Sequence, residues 1–309
     1  METLVRLSFY CFAAATLAFV ASAACYLTYA VGRVRLRQRT LATNVGTTLV
    51  AHEASLEPAA LGVGRFATLL AWFGVGFQAA SILLRTVAAG RLPLSNMYEF
   101  SSTFVLLAGV VYLLFERWYG VRQLGAIVLP LVAAMCAYIW LLPVDLREVN
   151  ALIPALQNRP LMTVHVSMAI LAYATFAVAF AAAVLFLIAN RWRVAWLPSP
   201  DLLDDLGYRA VTIGFPAMSL VLILGSVWAY RAWGTYWQWD PKETAALFTW
   251  LIYGVYLHTR SLRGWRGSRS AVILLVAFAA VVFTYFGNYV FGGLHAYGGV
   301  WERGAGFRS

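Results

Sequence analysis

Apolar runs of roughly 16 to 30 residues, close to or beyond the length that crosses a bilayer as a helix, recur along the whole chain and are parted by short polar segments. Eight such runs are predicted, at about 4–31, 66–88, 100–115, 124–142, 161–190, 210–230, 242–259 and 270–289. The fifth would reach roughly 45 Å at helical rise, longer than a hydrocarbon core, so it tilts or protrudes. Between the runs lie a connector at 40–64 with His52, Glu53 and Glu57, read as a short amphipathic helix, a polar loop at 144–160 and a polar connector at 192–209. Ala21-Ser22-Ala23 could pass for a leader-cleavage site. The apolar run continues past it, however, and the charge follows the run instead of preceding it, so an uncleaved span is expected. With no internal repeat and no second domain, the pattern predicts one all-α polytopic membrane domain over 1–309, in which 1–65 is the first span plus its connector.

Composition agrees with this reading. The chain is 62% hydrophobic and 12% charged, against about 25% charged in soluble domains. Its net charge of +10 is almost wholly arginine, Lys242 being the one lysine. In a chain of this kind such a balance sets topology and does not advertise nucleic-acid binding. Eight spans put both termini on one side. The loops carrying Arg33–Arg39, Arg117, Arg122, Arg191, Arg193 and Arg260–Arg269 then share the other face, which the positive-inside rule makes cytoplasmic, and the termini are extracytoplasmic. Cys11, Cys25 and Cys136 lie inside apolar runs as buried small hydrophobes, and the chain has no CxxC pair and no CxxCH.

The segment Trp233–Glu243, WGTYWQWDPKE, stands apart from this background. Trp233, Tyr236, Trp237 and Trp239 crowd a polar stretch that ends in a helix start. Asp240 is an N-cap, Pro241 suits the first helical position and Glu243 completes a capping box. The aromatics suit either an interfacial belt or a flat shelf on which a planar ligand stacks.

Two histidines share the predicted face of this segment. His165 lies little more than a turn after Pro160, and His295 follows the last run among glycines that allow a bulky ligand to approach the backbone. Each alone could be an ordinary helix-end or loop histidine. Together with the aromatic segment they form a candidate pair of axial ligands for a haem iron. His258, roughly 25 Å further along the helix that starts at Pro241, is near the opposite face and cannot serve the same iron. Next to Arg260, it could equally be part of a snorkelling helix end. Arg231, Lys242 and Arg303 are candidate propionate partners by charge sign, whereas the carboxylates of Asp240 and Glu243 are occupied by capping.

The string WGTYWQWDPKET, continuing to TWLIYGVYLHTR, resembles the tryptophan-rich WWD signature of the haem-handling, cytochrome c assembly family, most of all its CcsA (ResC) branch. PALQNRPLMTVHV, FGGLHAYG and LSNMYEF are similar to further motifs of that family. The likeness runs from about Phe66 to Trp301 and makes 66–302 the haem-handling core. It implies an external site in which His165 and His295 ligate haem b, with Trp233, Tyr236, Trp237, Trp239 and Asp240 lining it. It also implies an inner site in which His258 is completed by a histidine of a CcsB (ResB)-type membrane subunit. The implied work is that of a membrane subunit of a cytochrome c synthase, or haem lyase. It takes haem from the inner to the external site, keeps it reduced and presents it to the CxxCH of apocytochrome c for thioether formation, with no nucleophile of its own. The implied location is a cytoplasmic membrane, or a thylakoid in a plastid or cyanobacterium. Other readings are haem delivery to a chaperone as in the shorter CcmC relatives, a b-type electron-transfer cytochrome, or a solute transporter.

Overall fold

The computed structural model of the chain describes residues 1–42, 50–149, 151, 152, 156, 157, 159–192, 197–262, 265–291 and 293–295, with the backbone alone at 32–42, 50–60, 159 and 288–290. Eight α-helices form where the apolar runs predict them. They are α1 (Glu2–Ala42), α2 (Val50–Ala89), α3 (Met97–Tyr119), α4 (Gly125–Leu141), α5 (Arg159–Trp192), α6 (Pro200–Trp233), α7 (Pro241–Arg260) and α8 (Ser268–Phe291). Among the described residues seven of these helices are long and apolar enough to cross a membrane. The remaining one, α7, is 20 residues long, but Lys242, Glu243, Arg260 and several threonines and tyrosines dilute its apolar character. The chain is a polytopic, all-helical integral membrane protein.

Three boundaries differ from the sequence expectation. Helix α2 begins at Val50, so the backbone of His52 is on a continuous helix and not on a separate short one; its side chain, and residues 43–49, lie outside the described residues. Helix α6 begins at Pro200, about ten residues earlier than the apolar run. Ser199 accepts from Leu202 N–H, Pro200 occupies the first turn, and Asp201 complements the helix dipole, so a polar start is stable here. A 3-10 turn at Arg122–Leu124 leads into α4. Of the cysteines only Cys136 is fully buried; Cys11 and Cys25 are half-buried.

Helices α1 and α2, α5 and α6, and α7 and α8 pack as sequential antiparallel pairs, and α5 is the hub, touching α3, α4, α6 and α8. Its exposure follows from its composition. Ala172, Ala174, Ala179, Ala181 and Ala182 are fully buried with Phe176 and Val178, because small residues let neighbouring backbones approach where lipid offers no hydrophobic drive between helices. Buried polar side chains tie the pairs together. Ser22 donates to Ala67 C=O (2.8 Å), Gln78 to Ser102 C=O (2.8 Å), Thr249 meets Thr284 (2.9 Å) and Trp250 donates to Ser219 (2.8 Å).

The motif LSNMYEF forms a polar knot at the start of α3. Asn96 caps the helix by accepting from Glu99 N–H (2.9 Å), and Glu99 reaches back to Ser95 N–H (2.9 Å) and its hydroxyl (2.7 Å). The carboxylate of Glu99, fully buried, is clasped by Arg85 (3.1 Å) and Arg91 (2.8 Å). Arg85 also donates to the carbonyls of Arg147 (2.6 Å) and Glu148 (2.9 Å), and Asn96 to that of Leu146 (3.1 Å), which pins the loop leading towards α5.

Candidate functional site

The predicted helix start is built as the sequence demands. Asp240 N-caps α7 in a full capping box, and Glu243 accepts from the N–H groups of both Gln238 (2.9 Å) and Asp240 (3.3 Å). Helix α6 closes at Gly234 in a left-handed conformation, so Trp233 is the last helical residue and the aromatic loop proper is 234–240. Trp239 is, among the described residues, the one non-glycine residue with positive φ, 58°. A bulky side chain there is an outlier that persists only when its surroundings over-determine it. The two flanking N–H groups held by Glu243 do so.

The four aromatics are not one flat shelf. Trp237 and Trp239 meet at 89° with centroids 5.7 Å apart, and Tyr236 stacks on Tyr230 (4.5 Å, 9°). Tyr236 and Trp239 are exposed. Trp233 turns the other way and joins the histidines, its ring edge-on to His295 (4.9 Å, 78°) and to Trp228 (4.7 Å, 75°).

His165 and His295 are brought together on Trp228. The imidazole of His165 is nearly parallel to this indole (6.4 Å, 15°) and that of His295 lies 5.5 Å from it at 46°. Trp228, 2% exposed, escaped the sequence reading. Five residues before Trp233, it sits in an apolar run with nothing in the local sequence to distinguish it. Gly225, one turn before it on α6, is equally necessary, since a Cβ there would stand 2.8 Å from His165 Cε1.

His295 is held in place by Asp240. Its Nδ1 is 2.8 Å from Asp240 Oδ2, while Oδ1 accepts from Leu294 N–H (2.6 Å) and Oδ2 also caps Lys242 N–H (3.0 Å). Gly293, with φ +108°, is the one residue that fits beside this carboxylate, because a Cβ would come 2.3 Å from Oδ1. Burial works to raise the Asp240 pKa, but the hydrogen bond and charge of His295 and the two backbone N–H donors outweigh it and hold the carboxyl below the usual range. Burial pushes the His295 imidazole down, against the pull of Asp240, and the Lys242 charge acts in the same direction as burial. An ionised Asp240 only accepts, so Nδ1 of a neutral His295 carries the proton and Nε2 keeps its lone pair. By contrast His165 Nδ1 is buried with no partner at full hydrogen-bond geometry, the backbone of Val221 being the polar group it approaches.

Lys242 is within electrostatic range of both imidazoles and has no ion-pair partner among the described residues. Arg231 is exposed and likewise unpaired there; Arg303 lies outside the described residues. His258 is exposed towards the far end of α7, on a face shared with Phe248, Leu251 and Val255. Arg260, two residues on, is drawn inward to Asp204 (2.6 Å) and over the Tyr208 ring (4.7 Å).

Residues 94–295 match the family described as Cytochrome C assembly protein. The chain belongs to the cytochrome c assembly protein family. It is 33% identical to the cytochrome c biogenesis protein CcsA of Synechococcus sp. (strain JA-3-3Ab), covering 82% of this chain and 97% of that one. It is 38% identical to CcsA of Chlamydomonas reinhardtii, covering 70% and 64% respectively. In fold it is similar to the cytochrome c heme lyase CcmF, with a TM-score of 0.55 at 18% identity over 88% of this chain, and it spans 46% of that protein's length. The matched region of the cytochrome c assembly family opens at the LSNMYEF knot and closes on His295, so it takes in both histidines, Trp228 and the aromatic loop. The role of the chain is in cytochrome c biogenesis and haem handling.

Proposed function

We propose that the cluster of His165, His295, Trp228 and the aromatic loop is the external haem site of a cytochrome c synthase subunit. The observation that carries this is the pair of imidazoles on one indole, one of them oriented by Asp240. Two axial nitrogens are what an iron already held by four macrocycle nitrogens requires. A ligating histidine whose other nitrogen donates to a carboxylate is the usual arrangement at metal sites. The buried Nδ1 of His165 has no bond at full hydrogen-bond geometry, and Gly225 and Gly293 let His165 and Asp240 pack closely enough to set the two rings, which supports a pair of ligating imidazoles.

Haem b is the substrate, and its vinyl groups are what become thioethers on the CxxCH of apocytochrome c. The chain's own residues bind and orient. His165 and His295 hold the iron, Trp233 and Trp228 wall the ring, Trp237, Trp239 and Tyr236 form the outer rim, and Lys242 with Arg231 meets the propionates. Asp240 acts through His295. No residue of the site is asked to be a nucleophile, so the protein contributes orientation and shielding of the iron. His258, exposed on an apolar face of α7, faces a CcsB (ResB)-type membrane subunit whose own histidine completes an inner site. The arginine asymmetry supports an extracytoplasmic position for the aromatic site, and residues 66–302 are read as the haem-handling core.

The test is the optical spectrum of the purified protein beside His165→Ala and His295→Ala. A low-spin bis-histidine spectrum lost in either variant supports the site. Haem-free protein whose variants still mature cytochrome c with the partner present removes it, and the aromatic loop is then a membrane anchor.

A further inference from the structure

At the other end of the bundle is a pocket that contains none of the residues assigned above to haem. Tyr119 at the close of α3 lies under Arg209 (5.5 Å), near the start of α6 and so opposite Trp233 at its end. Here α2, α3 and the turn before α4 enclose a cavity of about 360 Å³ lined by Thr68, Trp72, Leu113, Glu116, Arg117 and Arg122.

Its charges are arranged unequally. Glu116 Oε1 accepts from Thr68 (2.6 Å) and Arg122 Nε (3.1 Å), and Oε2 accepts from Tyr26 (2.6 Å) and Tyr112. Four bonds exhaust a carboxylate's acceptor sites, so Glu116 has nothing left for a ligand and serves to fix Arg122. The terminal nitrogens of Arg122 have no acceptor among the described residues, and Arg117, exposed, has no hydrogen bond or ion pair there. Two guanidinium groups therefore offer unmet donors to one pocket whose single carboxylate is saturated. Beside them Trp72 forms an aromatic wall. The outer surface of α2 then continues towards the bilayer with Leu69, Phe73 and Phe77, each between 43% and 53% exposed.

We propose that this pocket binds the phosphate of an anionic phospholipid, with Arg117 and Arg122 on the phosphate and the acyl chains along Leu69, Phe73 and Phe77. Donor forks in a cleft between helices suit a phosphate. The apolar strip leading from the cleft into the membrane distinguishes a lipid from a soluble anion.

The experiment compares the full chain with R117Q and R122Q in nanodiscs of phosphatidylcholine with and without phosphatidylglycerol, reading lipid retained after delipidation by native mass spectrometry. Wild type is expected to keep phosphatidylglycerol over phosphatidylcholine, and R117Q to lose it by about fivefold. Arg117 makes no bond among the described residues, so R117Q tests the site even where R122Q loosens Glu116. Equal retention of phosphatidylglycerol by R117Q and wild type overturns the proposal. Displacement of the lipid by inorganic phosphate at matched concentration overturns it too, in favour of a soluble anion.

Discussion

His295 and Asp240 are joined by a 2.8 Å contact between Nδ1 and Oδ2, and the same carboxylate caps α7 and receives Leu294 N–H. The helix start and the histidine loop therefore cannot move independently. If His295 ligates haem, Asp240→Ala is expected to weaken haem retention by about 10–100-fold, the range found when a ligand's supporting carboxylate is removed. Asp240→Asn, which keeps an acceptor and a cap, should fall between it and wild type. Haem titration of detergent-purified variants measures both, and an Asp240→Ala protein that binds as wild type would refute the coupling.

Acid should release haem and base should not. Both groups of the dyad have folded-state values below their ordinary ones, His295 chiefly through burial and Asp240 through its donors despite burial. For such groups the stabilisation is complete above the unfolded-state value and is lost as pH falls through the folded-state value. Haem competes with the proton for Nε2 in the folded protein, where the imidazole titrates below its ordinary value, so retention is expected to hold level from alkaline pH past about 6.5, the ordinary histidine value, and to fall only at more acid pH. A pH series of the low-spin absorbance reads this directly; loss beginning on the alkaline side contradicts it.

Trp239 offers a separation of function from stability. Its φ of 58° strains a bulky residue, and its side chain is 70% exposed, so burial of its own ring does little to offset that strain. Trp239→Gly is expected to raise or preserve thermal stability, relief of such strain being worth about 1 kcal/mol or more, while lowering haem retention. A melt and a haem titration on one preparation decide it. Loss of stability in the variant would mean that the indole is held for packing.

The sequence carried more of the fold than of the site. Hydropathy located all eight helices because each must bury or immerse its own apolar surface, and Asp240-Pro241-Lys242-Glu243 announced its capping box through local chemistry alone. It failed at α6, whose first ten residues are polar and amphipathic, so that Ser199-Pro200 was the better signal. His165 and His295 could be paired only by supposing a common face. Trp228, which brings them together, is silent in the sequence because an aromatic in an apolar run has no distinguishing neighbour. Asp240 showed its cap but not its histidine, since that contact joins positions 55 apart. LSNMYEF offers Ser95 or Asn96 as a cap without deciding between them, and the partner that explains Glu99, Arg85, is on the preceding helix.

Gly225→Ala should damage the site and spare the helix. Alanine is favoured over glycine inside a helix by about 1 kcal/mol, yet its Cβ would stand 2.8 Å from His165 Cε1, closer than packed atoms allow. The imidazole must rotate or retreat. The variant is expected to keep its helical content and thermal midpoint while its bound haem shifts towards a high-spin, singly ligated spectrum. An unchanged low-spin spectrum would show that His165 points elsewhere when haem is bound.

The knot at Glu99 predicts an ordering of destabilisation. One buried carboxylate balances two nearly buried guanidinium groups, Arg85 at 3.1 Å and Arg91 at 2.8 Å. Glu99→Ala leaves two cations facing each other without a counter-charge, and breaking a buried pair in this way costs about 3–5 kcal/mol. Arg91→Gln removes the excess cation and leaves Glu99 paired with Arg85, so it should cost much less. Arg85→Gln falls between, because it also frees the carbonyls of Arg147 and Glu148 and so loosens the loop that leads to α5 and His165. Thermal unfolding in detergent is expected to rank the variants Glu99→Ala, Arg85→Gln, Arg91→Gln from least to most stable. If Arg91→Gln proves as damaging as Glu99→Ala, the knot depends on both cations equally and the charge argument fails.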